Sequence, residues 1–395
     1  MSHALHRLAF GVALVLTVSA CQPAANGAPA AAATPEASTG SALPSLLGDI
    51  RVTEVATGLD HPWAVAILPD DSFLVTERSG SIRRVGANGG VSEPLAGVPA
   101  VHARGQGGLL DLVPSPDFIN DKRIYFSYSE PDGSGLAGTT VAHAVLGDSG
   151  LDQVTVIYRQ EPKLQHDNHF GSRLAFDGQG HLFISQGDRT ERIFAQHLDK
   201  LQGKVVRLNL DGSIPADNPF VGQADARPEI WSYGHRNSQG LAIDPRTGKL
   251  WETEHGPRGG DEINLPQPGK NYGWPLITHG INYSGQPIPE AVGREKEGLE
   301  PPYHVWEKSP GLSGLAFYTG RPGATWNDSL FLGSLAERNL IRLTLDGDNI
   351  VSEERLLGSV GERIRDVRVG ADGNVYVVTD EDNGKLLRIE PPKAP

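Results

Sequence analysis

A histidine and an aspartate stand at the two ends of a predicted β-hairpin. His169 precedes the apolar run 174–176, and Asp188 follows the apolar run 182–184, with turn residues 177–180 between the runs. Because strands joined by a tight turn run antiparallel, the two side chains are expected to lie side by side. An imidazole held by a carboxylate can act as a general base, since the carboxylate fixes the ring tautomer and stabilises the charge that the ring gains. A purely structural hydrogen bond would give the same pattern.

The hairpin pattern occurs six times along the chain. Each unit has an apolar run, a turn rich in Asp, Gly, Pro or Asn, and a second apolar run, and the units begin near residues 63, 108, 174, 241, 315 and 367. Several units continue into a third strand, as in 205–210, 340–345 and 385–389. Repeats of three or four strands are typical of a β-propeller. The sequence therefore predicts an all-β, six-bladed propeller with long loops inserted on one face.

The predicted ring brings polar side chains together. In a propeller the innermost strand of each blade lines a central channel, so the loops that enter these strands converge on one mouth. Four such loops carry the donor-rich side chains Gln106, His169, Arg236, Asn237, Arg363 and Arg365. Arginine binds carboxylates and phosphates bidentately, so we expect a small ligand with several anionic groups at this mouth. The alternative is that each arginine forms a local ion pair within its own blade.

The N-terminal residues predict export and lipid attachment. Residues 1–20 have the pattern of a lipoprotein signal peptide, because an apolar run from Leu8 to Val18 is too short to span a bilayer and ends in small residues before Cys21. Cys21 is the single cysteine of the chain and would become the lipidated first residue. By resemblance to lipoprotein sorting rules, Gln22 favours the outer membrane, on the periplasmic side. A simple secretory signal is the alternative.

Composition predicts the remaining organisation. Residues 21–46 are rich in Ala, Pro, Ser and Thr, which predicts a flexible tether, and residues 47–395 are expected to form the propeller domain. The formal net charge is −13 and no basic run occurs, so nucleic acid is not an expected partner. We expect membrane contact through the lipid on Cys21 alone, and a monomer or a homodimer.

Seven segments in this order resemble the soluble pyrroloquinoline quinone (PQQ)-dependent glucose/sorbosone dehydrogenases, and are similar to the aldose sugar dehydrogenase branch of that family. The resemblance covers essentially all of the predicted propeller. The segments are RGQGGLLDL (Arg104–Leu112), HFGSRLAF (His169–Phe176), GKVVRLNLDGSIPADNPF (Gly203–Phe220), GHRNSQGLA (Gly234–Ala242), EHGPRGGDEIN (Glu254–Asn264), KNYGWP (Lys270–Pro275) and RIRDV (Arg363–Val367).

The resemblance implies oxidation of the C1 hydroxyl of aldose sugars to a lactone. PQQ would lie over the channel mouth, with the inserted loops on this cofactor face, and would take a hydride from C1 at its C5 atom. His169 would be the general base and Asp188 would orient it. Arg236 would stabilise negative charge on the quinone oxygen, a role that is most effective when prearranged. A soluble or quinone acceptor would then receive the electrons.

The resemblance also implies cofactor and metal contacts. PQQ would be held by Gln106, Arg236, Asn237, Tyr283, Arg363 and Arg365. The carbonyl groups of Gly256 and Pro257 would hold a catalytic Ca²⁺, which takes oxygen ligands and can act as a Lewis acid. Glu262 and Tyr272 would belong to a separate structural Ca²⁺ site, although an acidic pair in a turn is otherwise an ordinary surface feature.

The sequence departs from the family pattern at one cofactor-contact position. Ala336 stands where a lysine is expected, with Arg338 nearby as a candidate substitute. Two other function classes stay open on the residues alone. One is a six-bladed hydrolase of the lactonase kind, which would place acidic and amide side chains around a channel Ca²⁺. The other is a non-catalytic carbohydrate-binding propeller at the cell surface, which would tolerate loss of His169.

Overall fold

The computed structural model describes residues 40–320 and 323–393, and these form a ring of six antiparallel sheets. The predicted signal peptide, Cys21 and most of the predicted tether lie outside the described residues. Within the described part of the chain, no helix is long and apolar enough to cross a membrane. The helical segments there are short, one α-helical turn at Phe118–Asp121 and one 3-10 turn at Arg192–Gln196.

The strands follow one another in six groups. In chain order they are β1 (Ser41–Leu43), β2 (Ile50–Leu59), β3 (Pro62–Ile67), β4 (Phe73–Glu77), β5 (Ser81–Val85), β6 (Leu109–Pro114), β7 (Arg123–Pro131), β8 (Ala137–Leu146), β9 (Leu151–Arg159), β10 (Gly171–Phe176), β11 (His181–Gln186), β12 (Lys204–Asn209), β13 (Ile230–Tyr233), β14 (Ser238–Ile243), β15 (Leu250–Glu254), β16 (Asp261–Asn264), β17 (His304–Trp306), β18 (Leu312–Phe317), β19 (Ser329–Ser334), β20 (Asn339–Asp346), β21 (Asn349–Leu356), β22 (Ile364–Val369), β23 (Val375–Thr379) and β24 (Gly384–Glu390).

Each group is one blade, and the all-β, six-bladed prediction is confirmed. Blade 1 contains β3–β5, blade 2 β6–β9, blade 3 β10–β13, blade 4 β14–β17 and blade 5 β18–β21. Blade 6 has the order β1-β2-β24-β23-β22. Strand β2 therefore pairs with the C-terminal strand β24, with Val52 opposite Ile389. This pairing closes the ring, so that neither end of the chain leaves a blade incomplete.

The N-terminal boundary of the propeller lies earlier than residue 47. Residues 41–43, which were assigned to the tether, form β1 and pair with β2, with Ser41 opposite Val52. A Ser-Ala-Leu run has little β-propensity of its own. The open edge of β2 supplies its hydrogen-bond partners, which composition does not reveal.

The innermost strands β3, β6, β10, β14, β18 and β22 are irregular at the end where they enter the sheet. In all six, the register to the next strand shifts within the first few residues, as between Gly171 and Leu174 or between Ile364 and Asp366. Such bulges turn side chains away from the alternation of a regular strand. Below the bulges, apolar side chains from adjacent blades pack together, as Trp251, Leu315 and Leu332 do between blades 4 and 5.

Candidate active site at the channel mouth

His169 and Asp188 lie side by side at the open end of the blade 3 hairpin. His169 Nδ1 is 2.7 Å from Asp188 Oδ1, as the antiparallel pairing predicted. Asp188 is fully buried, whereas the His169 side chain is 14% exposed. His169 has a φ of 56°, an uncommon left-handed conformation for a non-glycine residue. Strain of this kind at a loop entry is often found at functional sites.

The Asp188 carboxylate is held by donors on both oxygens. Oδ1 also accepts from the Thr190 backbone N–H at 2.7 Å, and Oδ2 accepts from the Trp274 indole Nε1–H at 2.7 Å. Burial acts to raise the pKa of Asp188, but the interaction with His169, the charge of Arg236 and the hydrogen bond from Thr190 outweigh it, and the net pKa is lowered. The carboxylate is therefore ionised and fixed in place at neutral pH.

The His169 imidazole is held in its neutral form. Burial lowers its pKa, the nearby Arg236 charge lowers it further, and the opposing effect of Asp188 does not fully compensate. Because a carboxylate can only accept, Nδ1 carries the proton that Asp188 binds. Nε2 is then the basic nitrogen of the ring. The arrangement suits abstraction of a proton at neutral pH.

Arg236 lies beside this pair, in the loop that enters blade 4. In the described residues its guanidinium donates to the carbonyl oxygens of His255 and Gly256, at 3.0 and 2.7 Å. The group also lies 5.3 Å from the centre of the Trp274 ring. Its backbone N–H donates to the carboxylate of Glu254. Because carbonyl groups carry no net charge, the guanidinium keeps its positive charge available to an anionic group.

A chain of amide hydrogen bonds crosses the mouth. Gln106 Oε1 accepts from the backbone N–H of His169 at 2.9 Å and from Asn237 Nδ2 at 3.3 Å. Asn237 Oδ1 accepts from Gln239 Nε2, and Gln239 Oε1 accepts from Arg365, both at 3.1 Å. Side chains from blades 2, 4 and 6 and the backbone before blade 3 are thereby connected. The structure therefore brings these predicted mouth residues together.

The mouth is less cationic than the sequence suggested. Arg365 forms an ion pair with Asp380, and Arg363 lies 3.7 Å from the same carboxylate. Two arginines thus share one aspartate, which leaves about one net positive charge between them. This supports the local ion-pair alternative in part. Asp380 follows β23 as Asp188 follows β11, so the hairpin rule applied to all blades would have found it.

Two connected spaces lie at the mouth. An open cleft of about 830 Å³ is lined by Gln106, Gly256, Pro257, Tyr283, Lys308, Ala336 and Arg363, among others. A more enclosed cavity of about 150 Å³ beneath it is lined by Gln106, Trp63, Phe170, Gln239, Arg363 and Arg365, among others. Gln106 and Arg363 border both spaces. The cleft therefore gives access from solvent to the arginines of the channel.

Three of the residues named from the sequence have unexpected positions or partners, namely Tyr283, Arg338 and Gly256. Tyr283 is 75% exposed on the rim of the cleft. Arg338, the candidate substitute for the expected lysine, donates instead to Gly361 O and lies 3.3 Å from Glu381. Lys308 lines the cleft with Ala336, so this wall has a cation from another loop. Gly256 O is already a partner of Arg236.

The predicted metal ligands surround a small space behind the mouth. Glu262, Tyr272, Gly256 and Pro257 all border a cavity of about 10 Å³, close to the volume needed by one water molecule or ion. The buried Asn264 Oδ1 has no hydrogen-bond partner in the described part of the chain. The residues predicted for the two calcium sites thus all border this cavity, and Gly256 and Pro257 also border the open cleft.

The carboxyl groups near this cavity outnumber the cation among them, His235. Burial and the neighbouring Glu254 raise the pKa of Glu262 well above its usual range. Burial works to lower the pKa of His235, but Glu252 and Glu254 outweigh it and raise the pKa to about 9. His235 Nδ1 lies 3.0 Å from Glu252 and 3.2 Å from Glu254. One imidazolium thus faces several carboxylates, an arrangement that an additional cation would stabilise.

Some functional candidates were missed because they are not local in sequence. Trp274 lies in the long connection between β16 and β17, and its backbone N–H donates to Gly234 O at 2.9 Å. Nothing in the spacing of residues links it to Asp188. The motif KNYGWP marked the segment but not its contact.

Known proteins share this fold and much of this sequence. Residues 59–388 match the family model described as glucose / sorbosone dehydrogenase. The aldose sugar dehydrogenase YliI of Escherichia coli K12 is 52% identical over 355 residues, covering 89% of this chain and 95% of that protein. A crystal structure of a glucose dehydrogenase is 58% identical with a TM-score of 0.84, covering 85% of this chain and 98% of that one.

A third relative was solved with a ligand. The PQQ-bound form of an aldose sugar dehydrogenase from Streptomyces coelicolor is 27% identical with a TM-score of 0.70, covering 90% of this chain and all of that one. The family model spans most of the propeller, and the E. coli relative is matched over nearly its whole length. The chain therefore belongs to the glucose/sorbosone dehydrogenase family.

Proposed function

We propose that this enzyme oxidises the C1 hydroxyl group of aldose sugars to the lactone with PQQ as the hydride acceptor. The observation that carries the proposal is the neutral His169, bonded to the buried Asp188 and flanked by the positively charged Arg236. A general base beside a cation suits removal of a hydroxyl proton as negative charge develops nearby. The backbone of His169 is hydrogen-bonded to Gln106, which lines the cleft. The PQQ-bound relative supports the choice of cofactor.

The side chains at the mouth fit the chemistry of PQQ, a planar quinone with three carboxylic acid groups. Arg363 and Arg365 share one aspartate and so retain net positive charge. The buried Nε atoms of Arg236 and Arg365 have no hydrogen-bond partner among the residues that the structure describes. Gln106 and Asn237 offer amide groups to carbonyl or carboxylate oxygens, and Tyr283 on the rim could cover a bound ring. These donors suit an anionic cofactor.

In the proposed reaction, PQQ held by the mouth residues would supply the hydride-accepting chemistry, and Ca²⁺ would supply a Lewis acid. His169 Nε2 takes the proton of the C1 hydroxyl. Asp188 stabilises the imidazolium that forms and keeps Nδ1 bonded. Arg236 presents its guanidinium to the negative charge on the acceptor side, already oriented by the His255 and Gly256 carbonyls.

Calcium is part of the proposal. The carbonyl oxygens of Gly256 and Pro257 border the cleft and would contribute to the catalytic ion, although Gly256 O is shared with Arg236. Protein atoms here supply few oxygens for an ion that takes six to eight, so cofactor and water would have to supply the rest. Glu262 and Tyr272 would hold a structural ion in the adjoining cavity, where Glu262 provides a buried carboxylate.

We further propose that the enzyme works on the periplasmic side of the outer membrane, attached through a lipid on Cys21. The support is the signal-peptide pattern that ends at the single cysteine. A soluble or quinone acceptor would receive the electrons, and a monomer or a homodimer would suffice for the reaction. Replacement of Cys21 by serine should release the enzyme from the membrane fraction. Retention there would contradict the lipid anchor.

Reconstitution tests the activity directly. Protein without cofactor, mixed with PQQ and Ca²⁺, should reduce an electron-accepting dye when an aldose is added, and neither component alone should suffice. Failure to reduce the dye, together with an unchanged PQQ absorption spectrum, would contradict the dehydrogenase proposal. That outcome would favour a non-catalytic carbohydrate-binding role. Hydrolysis of a lactone without PQQ would favour the alternative of a lactonase-type hydrolase.

A further inference from the structure

Trp274 contacts both parts of the catalytic apparatus proposed above. Its indole Nε1–H donates to Asp188 Oδ2 at 2.7 Å, within the buried interior. The ring of the same residue lies 5.3 Å from the guanidinium carbon of Arg236. The indole therefore lies between the residue that orients the base and the residue that carries the positive charge.

The position of Trp274 is fixed by backbone and packing contacts. Its backbone N–H donates to Gly234 O at 2.9 Å, two residues before Arg236. Its side chain is 5% exposed and packs with Ala195 and Ile288. The Asp188 backbone N–H donates to Arg236 O at 2.8 Å, so the three residues form a closed set of contacts. Few alternative orientations of the indole would preserve all of these contacts.

The hydrogen bond has an electrostatic consequence for the base. A donor on Oδ2 draws negative charge away from the oxygen that faces His169. The titratable and charged groups that face the pair are Arg236 from the loop before β14, Arg189 from the loop after β11, and Lys204 from β12, whose pKa burial lowers well below its usual range. Unlike these groups, Trp274 hydrogen-bonds Asp188 and carries no ionisable group. It can therefore adjust the hydrogen bond between Asp188 and His169 without competing for an anionic ligand.

We propose that Trp274 is a positioning residue, which holds the Asp188 carboxylate against His169 and sets the basicity of the imidazole through that carboxylate. The proposal rests on the assignment of His169 as the base. It makes a prediction for the protein without cofactor as well, because all of the contacts lie within the chain.

The variant Trp274→Phe tests the proposal by removing the Nε1–H donor while keeping an aromatic ring. With the donor gone, the charge of Asp188 acts more fully on His169, so the pKa of His169 should rise by about one unit, the size expected for a hydrogen bond to a charged group. The acid limb of the kcat profile should move to higher pH by the same amount. We expect kcat to fall roughly tenfold, as for supporting partners of other active-site ligands, with KM nearly unchanged.

Trp306→Phe is a matched control. Trp306 is also a buried indole, on the outer strand β17, and its Nε1–H lies 3.2 and 3.1 Å from the two oxygens of Glu353 instead of bonding Asp188. Loss of this donor should leave the His169 pKa and the pH profile unchanged. A fall in kcat of the same size in both variants, with neither profile displaced, would reduce Trp274 to a general packing role and overturn the proposal.

Nuclear magnetic resonance of the protein without PQQ provides a second readout. In the wild type, the Trp274 Nε1–H resonance should shift with pH along the same curve as the His169 ring signals, since both bond one carboxylate. A Trp274 signal that does not follow the His169 titration would contradict the proposal, even if Trp274→Phe failed to fold. These titrations do not depend on activity, so a wild-type protein inactive with PQQ and Ca²⁺ would contradict the proposed function while leaving the coupling measurable.

Discussion

Individual residues set the protonation state on which the proposed reaction depends. Burial and Arg236 lower the pKa of His169, while Asp188 is kept ionised. Both effects are local, because one hairpin holds the pair and one loop adds the cation. A free histidine has a pKa near 6.5, so the imidazole here is neutral over a wider range than usual.

The pH dependence of turnover follows from the sign of this shift. The base works in its neutral form, so kcat should decline only when the pH falls through the lowered pKa of His169, below about 6.5. Steady-state dye reduction between pH 4 and 8 measures this limb. A midpoint of the acid limb above about pH 7 would show that the site favours protonated His169, which would contradict the lowered pKa of this residue.

Another residue-scale prediction concerns calcium. Because burial and Glu254 raise the pKa of Glu262, a cation bound there must displace a proton, and its affinity should rise with pH. Added Ca²⁺ should increase the melting temperature of the wild type, and Glu262→Gln should abolish most of that increase. The exposed acid Glu307 borders the cleft. Glu307→Gln is the control, and it should keep the increase in melting temperature on addition of Ca²⁺. An equal Ca²⁺ response in both variants would place the structural ion elsewhere.

Local sequence was informative wherever one hairpin makes the contact. The pairing of His169 with Asp188 could be predicted because turn length fixes which residues meet. Asp380 directly follows β23 and lies at the open end of the blade 6 hairpin, so the same pairing rule applies to it. Trp274 could not be predicted, because it reaches Asp188 from a connection of about forty residues whose path depends on tertiary packing.

At the scale of secondary structure, the segment before β10 is held by a buried arginine. Arg189 donates to the backbone carbonyl groups of Ala137, His166 and Asn168, and its guanidinium carbon lies 3.6 Å from the centre of the Phe170 ring. Burial lowers its pKa to about 10, so it is charged at neutral pH. This contact fixes the loop that carries His169 into the inner strand.

Removal of this contact should destabilise the protein and displace the base. Arg189→Met leaves buried carbonyl groups without donors, which costs about 3 kcal/mol, and calorimetry should show a lower melting temperature. The control Arg159→Met removes an arginine whose side chain is 48% exposed and paired with Glu130, and should cost about 0.5 kcal/mol. Equal losses of melting temperature in the two variants would show that Arg189 stabilises the fold no more than an exposed ion pair does.

The bulges of the inner strands explain why side-chain directions were hard to predict. Each inner strand shifts register near its entrance, so strict alternation does not tell which residues face the channel. Gln239 and Arg365 lie inside their strands near these shifts, and they meet across the axis. A period of two residues located the strands correctly but left the channel-facing side chains open.

At the scale of the whole molecule, ring closure depends on β2 and β24. The six repeats predicted the blade number, whereas the pairing of chain ends joins residues more than 300 positions apart and has no local signal. Thr53→Pro, within β2 and opposite Arg388, should disrupt the strand and cost about 3 kcal/mol or more. Val351→Pro, at an exposed position of the outer strand β21, should cost much less. Similar melting temperatures for the two variants would contradict closure by β2.

The central claim is that His169 removes the substrate proton in a PQQ-dependent oxidation. Rapid mixing of the PQQ- and Ca²⁺-loaded enzyme with an aldose measures reduction of the bound cofactor by its absorption in a single turnover. His169→Ala should bind PQQ with an unchanged spectrum yet reduce it at least roughly a hundredfold more slowly. His181→Ala removes a similar His–Asp pair at the other end of the same hairpin and should react like the wild type. Reduction by His169→Ala at the wild-type rate would contradict the assignment of the base.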